Sequence, residues 1–181
     1  GKVATYLYKN MMNATNIRLI LLSGTPVINH PYELSSLLNL LRGPIHVYQG
    51  AFLKSLAVIP TEDEIRDKLG DLEKYIDHVS VQVDERKIYW TLVPEGFVLT
   101  GEKKMVKQVW KNTREVMSEK VATILQKEFK IGKKIQMDTT YALPNHKDDF
   151  EAMFLDQTDP DHPKVKNMDL FMRRIMGIVS Y

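Results

Sequence analysis

The residues best suited to chemistry in this sequence form two groups, a hydroxyl-bearing loop and a run of basic side chains. The loop is Ser23-Gly24-Thr25-Pro26, and it follows the apolar run Ile17–Leu22. Two hydroxyl groups on a tight loop at the carboxyl end of a strand can exchange hydrogen bonds with mobile partners in a cleft. The ordinary alternative is a strand-to-helix turn whose hydroxyls cap the helix.

The basic side chains are concentrated in one stretch although the net charge is only +2. Residues 102–134 contain ten Lys or Arg and four acidic residues, whereas residues 138–161 contain seven acidic residues and one Lys. Such a stretch could follow a phosphate backbone, because nonspecific nucleic-acid affinity comes mainly from charge neutralisation. A solvated, lysine-rich helix face is the common alternative. The candidate nucleic-acid contacts are Lys103, Lys104, Lys107, Lys111 and Arg114.

Several kinds of active site are excluded or disfavoured. The absence of cysteine removes disulfides, thiolate metal sites and cysteine nucleophiles. The five histidines never have the spacing that places two metal ligands on one helix face, so no metal site is predicted. The acidic segment 156–162 lacks the glycine and the terminal glutamate of a calcium loop, and a linker is the preferred interpretation.

Two segments imitate nucleotide-binding motifs. Residues 96–103 have the glycine spacing of a phosphate-binding loop, but Glu102 stands where the loop requires lysine. Asp84-Glu85 ends a strand-like segment, yet that segment alternates polar and apolar residues, which is typical of a hairpin and not of a buried parallel strand. We therefore predict no catalytic residue in this chain, and we expect it not to hydrolyse ATP by itself.

The elements that must position these groups begin with an α/β pattern. The sequence predicts a helix end over Tyr6–Met12, a buried parallel strand over Ile17–Leu22 and an amphipathic helix after Pro31. The last of these buries a leucine face and ends at Gly43-Pro44.

After Pro60 the pattern changes to α+β. Thr61 and Glu64 predict a capping box at a helix start, and its apolar spacing continues to Ile76. Alternation of polar and apolar residues then predicts a small antiparallel meander with one solvated face. Helical spacing predicts a long helix over about 102–130, and renewed alternation predicts one further strand over 135–143. A short helix over 148–154, a linker over 157–166 and a final amphipathic segment complete the chain.

The sixteen residues Leu19–Leu34 carry most of the information about function. They resemble motif III of superfamily 2 helicases and translocases, in which an apolar strand precedes a Ser/Thr-Gly-Thr-Pro loop and an Asn-x-Pro-x-Glu-Leu helix start follows. The final residues Asn167–Tyr181 resemble the start of the second motor lobe in helicases of large DNA viruses. That group is related to the poxvirus early transcription factor small subunit and nucleoside triphosphate phosphohydrolase I.

The resemblance implies a domain organisation and a function. Residues 1–47 would end a first RecA-like lobe, residues 48–165 would form an inserted α+β domain, and residues 166–181 would begin the second lobe. Ser23, Gly24, Thr25 and Pro26 would couple nucleotide state to a nucleic-acid groove. The parent protein would use ATP and Mg²⁺, would act on DNA or RNA, and would need motor-lobe residues that this sequence lacks.

Three functional interpretations stay open on the sequence alone. The first is a fragment of a nucleic-acid-dependent ATPase, the second is an autonomous, non-catalytic binding module for a protein or nucleic acid, and the third is a structural spacer between lobes. Arg173 and Arg174 are interpreted as surface ion-pair partners and not as contacts to ATP. The sequence has neither a signal-peptide pattern nor a membrane span, so a cytoplasmic, nuclear or virion location and no secretion are expected.

Overall fold

The computed structural model describes residues 2–23, 30–102, 104–156, 158 and 164–176. The chain divides into two compact units, a first unit of Gly1–Ile45 with Thr140–Tyr181 and a second unit of His46–Thr139. Residues 140–156 thus belong to the first unit, whereas the sequence predicted an inserted domain that extends to residue 165. The assignment of these ranges to motor lobes stays a prediction.

Helices and strands are mixed among the described residues, as the sequence predicted, and a RecA-like lobe stays a prediction. The α-helices are α1 Lys2–Asn13, α2 Glu33–Arg42, α3 Glu62–Leu69, α4 Arg114–Phe129, α5 Lys147–Phe154 and α6 Met168–Ile175. The strands are β1 Ile45–Ala51, β2 Ile76–Gln82, β3 Lys87–Leu92, β4 Phe97–Leu99, β5 Met105–Lys107, β6 Gln136–Thr140, β7 Leu155–Asp156 and β8 Lys164–Val165. Within the described ranges, no helix combines the length and apolar character that crossing a bilayer requires.

The core of the first unit brings together α2, α5 and α6. Leu38 of α2 is buried against an apolar cluster formed by Leu143, Phe150, Phe154 and Leu170. The predicted leucine face of α2 is confirmed only in part, because the buried residues of this helix are Ser35, Leu38 and Asn39, while the other leucines of that face are partly buried. The predicted end of α2 is confirmed, because Gly43 adopts a φ of 74° and donates its N–H to the carbonyl of Asn39 at 2.8 Å.

The predicted strand over Ile17–Leu22 is wrong in this chain. Those residues have no regular secondary structure, and Leu22 is 92% exposed. A buried parallel strand needs neighbouring strands on its edges and layers on its faces. None of the described strands pairs with residues 17–22, so their β-forming sequence lacks the hydrogen-bond partners that would make it a strand.

Arg173 and Arg174 also differ from their predicted role as surface ion-pair residues. Both side chains are buried, and Nη1 of Arg174 donates to the carbonyl oxygen of Ala142 at 2.6 Å. The aliphatic part of an arginine side chain packs readily against apolar surface while its guanidinium finds acceptors. These arginines therefore contribute to the interior of the first unit.

The second unit is built on a four-stranded sheet with the order β2-β3-β1-β6. The central strand β3 pairs antiparallel with β2, as alternation predicted, and also with β1, a strand that the sequence did not predict. One cross-strand row, Tyr48, Trp90 and Val79, is buried, whereas the next row, Gln49, Tyr89 and Ser80, is only partly buried. The expected single solvated face is thus present. Residues 83–86 form the turn between β2 and β3, so the hairpin interpretation of Asp84-Glu85 is confirmed.

The capping box before α3 forms as predicted. The Glu64 backbone N–H donates to the Thr61 hydroxyl, and the Thr61 backbone N–H donates to the Glu64 carboxylate. The second bond lowers the pKa of Glu64 below its ordinary value, because it stabilises the charged carboxylate. The helix ends earlier than predicted, at Leu69, since Gly70 adopts a φ of 52° and Ile76 already begins β2.

The predicted long helix over 102–130 is wrong before residue 114. Met105–Lys107 forms β5 instead, paired antiparallel with β4 in a separate two-stranded sheet, so β4 does not extend the meander. The helix α4 starts only after Thr113, whose hydroxyl accepts the N–H of Val116. Val106 and Trp110 fit a helical spacing, but strand pairing with Phe97–Leu99 overrides that weak local signal.

Gly50 in β1 provides a test of how closely the second unit is packed. A Cβ at this position would lie 2.6 Å from Cγ2 of Ile131 and 3.3 Å from Cδ1 of Ile135. Gly50→Ala is expected to lower the free energy of unfolding by about 1–3 kcal/mol through overpacking. The stabilisation of about 0.4–1 kcal/mol from reduced unfolded-state entropy offsets this only in part.

Urea denaturation followed by circular dichroism measures the effect. Gly101→Ala is the matched control, because nothing lies within 4 Å of the added Cβ and the residue is exposed. Equal stability of the two variants would contradict the tight packing around Gly50.

Candidate nucleic-acid interface

The basic candidates are spread over a turn, a strand, a loop and a helix start of the second unit and do not lie on one helix face. Lys104 lies at the end of the β4-β5 turn, Lys107 ends β5, and Lys111 lies in the loop before α4. Arg114 is the first residue of α4. Lys103 lies outside the described residues.

Trp110 fixes the loop that connects β5 to α4. Its side chain is buried, and its indole N–H donates to the carbonyl oxygen of Phe97 at 2.6 Å. The ring also meets Tyr75 edge to face, with centroids 5.3 Å apart. Sequence reasoning missed this anchoring role because it assigned Trp110 to a helix. A buried tryptophan between exposed lysines holds their backbone in one place relative to the hairpin.

Arg114 is occupied by contacts inside the unit. Its guanidinium carbon lies 5.6 Å from the Trp110 ring centroid, and Nη2 donates to the carbonyl oxygen of Val93 at 3.3 Å. Arginine is well suited to such a combined stacking and hydrogen-bonding position. The side chain is half-buried, so Arg114 supports the surface more than it extends it.

Lys104 is exposed but already has a charge partner. Its Nζ lies 2.6 Å from Oε2 of Glu102, and both side chains are largely in solvent. An exposed ion pair of this kind contributes little stability and breaks easily. A phosphate could therefore compete for Lys104, but the nearby carboxylate reduces the net positive charge of the turn.

Lys107 and Lys111 are the best placed of the candidates to meet an anion. Both are exposed, and neither forms an ion pair within the described residues. Between them Val109 is 88% exposed, so the surface joining the two lysines is open to solvent. We call Lys104, Lys107 and Lys111, with the exposed Val106 and Val109, the hairpin patch.

One acidic group follows the hairpin patch along the chain. Glu115, in the first turn of α4, is exposed, and its pKa is lowered first by its own backbone N–H and then by the Thr113 hydroxyl. These bonds keep the carboxylate charged and direct it to the helix start, where the helix dipole also favours negative charge. Glu115 thus lowers the net positive charge at the α4 end of the patch.

The hydroxyl loop and the hairpin patch belong to different units. Ser23 is exposed and lies in the first unit, while Gly24, Thr25 and Pro26 lie outside the described residues. The predicted coupling role of these four residues stays a prediction. In the described part of the chain, no group of three or more His, Asp or Glu side chains is close enough to share a metal ion.

Comparison with known proteins gives no further assignment. No family model matches this sequence, and no solved structure matches it. The resemblance to superfamily 2 motors therefore depends on the motif residues themselves.

Proposed function

We propose that this chain is part of a superfamily 2 nucleic-acid-dependent ATPase, and that its second unit contacts the nucleic-acid backbone through the hairpin patch. In this proposal the parent protein binds ATP and Mg²⁺ with residues that this sequence lacks. Ser23 and Thr25 couple nucleotide state to the nucleic acid. Lys107 and Lys111 neutralise phosphates next to the motor.

The exposed apolar run Ile17–Leu22 supports the motor part of the proposal. Ile20 and Leu22 are 73% and 92% exposed, although the run has the composition of an interior strand. A contiguous group of exposed, β-forming apolar residues marks a surface that another element normally covers. In the parent, neighbouring strands of a RecA-like lobe would pair with this run, and α2, which begins at Glu33, would be the helix that follows the loop.

The single observation that carries the nucleic-acid part is the pair of exposed lysines around a loop fixed by Trp110. Lys107 and Lys111 need no rearrangement to meet an anion, since no carboxylate of the described residues pairs with either. Phosphate contacts of this kind give affinity without reading base sequence. Sequence-independent, salt-dependent binding is the expected property of the unit.

The test is a fluorescence titration of the chain against single- and double-stranded DNA and RNA over a range of salt concentrations. Lys107→Ala combined with Lys111→Ala is expected to weaken binding to every sequence alike. Each lost phosphate contact lowers the slope of log affinity against log salt by roughly 0.7–0.9. The double variant should therefore lower that slope by roughly 1.4–1.8.

The matched control is Lys120→Ala combined with Lys127→Ala, which removes the same charge from exposed positions of α4. A third variant, Lys103→Ala with Lys104→Ala, should have a smaller effect than the Lys107 and Lys111 variant, because Glu102 already pairs with Lys104. Equal losses in all three variants would mean that net charge alone, and not the hairpin patch, determines binding.

A second candidate function is an autonomous binding module for a protein. Two observations favour it: residues 46–139 are a compact unit with their own core, and Val106 and Val109 are exposed among the lysines of the patch. The same titration separates the two functions. Absence of salt-dependent binding to all four nucleic acids would contradict the nucleic-acid interface and favour a protein partner.

A further inference from the structure

A second group of basic residues lies at the end of α4 that is opposite to the hairpin patch. Lys130 follows the helix, Lys133 and Lys134 lie in the next loop, and Lys54 lies in the loop after β1. We call these four exposed lysines the loop patch. None of them forms an ion pair among the described residues. The loop patch therefore carries four positive charges without a partner carboxylate in that part of the chain.

A backbone contact holds the two segments of the loop patch side by side. The N–H of Leu53 donates to the carbonyl oxygen of Lys130 at 3.0 Å. Next to this bond, Phe52 and Ile131 form an antiparallel bridge, and both side chains are buried. Because Lys54 directly follows Leu53, the fold keeps Lys54 close to Lys130.

The loop that carries the other two lysines of the patch is fixed as well. The N–H of Gly132 donates to the carbonyl oxygen of Ala51 at 2.8 Å. Nε2 of Gln126 donates to the carbonyl oxygens of Gly132 and Lys133, both at 3.4 Å. Ile135 then packs against the core of the second unit. The backbone of the patch is thus in place before an anion binds, so binding requires little ordering of the loop.

Arg86 adds a guanidinium group beside the loop patch. Its Nη2 donates to two backbone carbonyl oxygens of residues 53–56, both at 2.8 Å, and it forms no ion pair in the described part of the chain. The turn that contains Arg86 also carries two acidic residues. Glu85 lies 2.6 Å from Nζ of Lys87, and the charge of the exposed Asp84 is offset by Arg86. The charges of the four lysines therefore stay uncompensated.

The loop patch and the hairpin patch are separate surfaces of the second unit. Lys111 precedes α4 and Lys130 follows it, and the 16 residues of this helix span about 24 Å at a rise of about 1.5 Å per residue. This distance exceeds twice the Debye length of about 8 Å at physiological ionic strength, so each patch attracts anions independently. Lys127, in the last turn of α4, is not part of the loop patch, because its Nζ lies 3.9 Å from the Glu128 carboxylate.

We propose that the loop patch is a second phosphate-binding surface, which contacts the backbone of a nucleic acid. The choice of ligand rests on the proposed nucleic-acid function. Ammonium groups without carboxylate partners match a ligand that carries a regular series of negative charges. An anionic membrane is less suited, because helices that lie on membranes expose an apolar face. The helix that leads into the patch, α4, instead buries Val121, Leu125 and Phe129 in the core.

The experiment measures the salt dependence of binding to single- and double-stranded DNA and RNA. Lys54→Ala combined with Lys133→Ala removes two charges and leaves every backbone bond of the loop in place. This variant is expected to lower the slope of log affinity against log salt by roughly 1.4–1.8, as the loss of two phosphate contacts implies. Combination with Lys107→Ala and Lys111→Ala should lower it by roughly 2.8–3.6.

Two matched variants separate a local effect from an effect of total charge. Lys54→Arg combined with Lys133→Arg keeps both charges and should keep the slope of the unaltered chain. Lys2→Ala combined with Lys9→Ala removes the same charge from exposed positions of α1 in the first unit, and it should also leave the slope unchanged. Urea denaturation of the alanine variant of the loop patch should give the stability of the unaltered chain, which excludes misfolding.

The outcomes distinguish this inference from the proposed function. An unchanged slope in the loop-patch variant would overturn the inference, and a lowered slope in the hairpin-patch variant would then leave the proposed function intact. The reverse result would support the loop patch and contradict the hairpin patch. An equal loss in the Lys2 and Lys9 variant would overturn the inference, because total charge would explain binding. Absence of nucleic-acid binding would contradict both. Binding to phosphatidylserine vesicles that depends on Lys54 and Lys133, with nucleic-acid binding unchanged, would assign the patch to a membrane surface and overturn the inference.

Discussion

Trp90→Ala is expected to lower the free energy of unfolding of the second unit by about 3–5 kcal/mol. Trp90 is 1% exposed and lies at the middle of β3, the central strand that pairs with both β1 and β2. Its ring stacks on Tyr48 with centroids 5.7 Å apart, and Val79 lies on its other side. Truncation removes the largest of the fully buried side chains among the described residues. It leaves a cavity that the three paired strands cannot fill by moving towards each other.

The free energy of unfolding of a natural domain is typically about 5–15 kcal/mol, so the expected decrease is a large share of the whole stability of the unit. Amide hydrogen exchange measures it for each unit separately, because amides of residues 46–139 report on the second unit alone. We expect faster exchange there and little change in the first unit.

Two further variants test the reason for the effect. Tyr89→Ala removes the neighbouring aromatic residue from the solvated face and should cost much less, since Tyr89 is only partly buried. Trp90→Phe keeps a ring in the core and should lose less than half as much as Trp90→Ala, because the indole N–H has no hydrogen-bond partner in the described residues. Equal destabilisation by Tyr89→Ala and Trp90→Ala would contradict the assignment of the two faces.

Alternation of polar and apolar residues predicted the β2-β3 hairpin because the two faces of these strands differ in burial, whereas β1 was not predicted. Apolar residues occupy alternate positions on β2 and β3, namely Val79, Val81, Ile88 and Trp90. A single turn joins these two strands. A local turn together with a period of two residues leaves little choice of register. The capping box at Thr61 was predictable for a similar reason, since both bonds involve residues only three positions apart.

Errors arose where the presence or absence of a strand partner decided the structure. Met105–Lys107 has apolar spacing that also fits a helix, and only contact with Phe97–Leu99 makes it a strand. The run Ile17–Leu22 fails in the opposite sense, because its strand-like sequence finds no strand partner in the described residues. Local sequence expresses a tendency, but hydrogen-bond partners outside the segment determine which tendency is realised.

The candidate site was predictable in composition but not in geometry. The sequence identified a basic stretch, yet a count of charges cannot separate Arg114, which bonds the Val93 carbonyl, from Lys107, which is exposed. Glu102 reduces the contribution of Lys104 through a contact across the turn. The tryptophan that holds the loop was visible in the sequence, and its position among lysines was the one signal that could have indicated an anchor.

Asn39→Leu is expected to lower the stability of the first unit by about 2–4 kcal/mol, because it leaves two buried backbone groups without partners. Asn39 is fully buried in α2, and its Oδ1 accepts the N–H of Leu143 at 2.8 Å. Its Nδ2 donates to the Leu143 carbonyl and to Oδ1 of Asn145, both at 2.8 Å. Leucine has a similar volume but can make none of these bonds, so both backbone groups of Leu143 would lose their side-chain partner.

This amide connects segments that lie more than a hundred residues apart in sequence, which is why no local pattern revealed it. Hydrogen exchange at the Leu143 amide measures the effect directly, and we expect exchange to become roughly 30- to 1,000-fold faster, as the free-energy loss implies. Asn145→Ala is a comparison variant for which we expect a smaller loss of stability. It removes one of the Asn39 bonds and the contact with the Tyr8 hydroxyl, but it leaves both Leu143 bonds in place. If Asn145→Ala destabilised the unit as much as Asn39→Leu, the two backbone bonds to Leu143 would not be what joins α2 to the segment that follows residue 140.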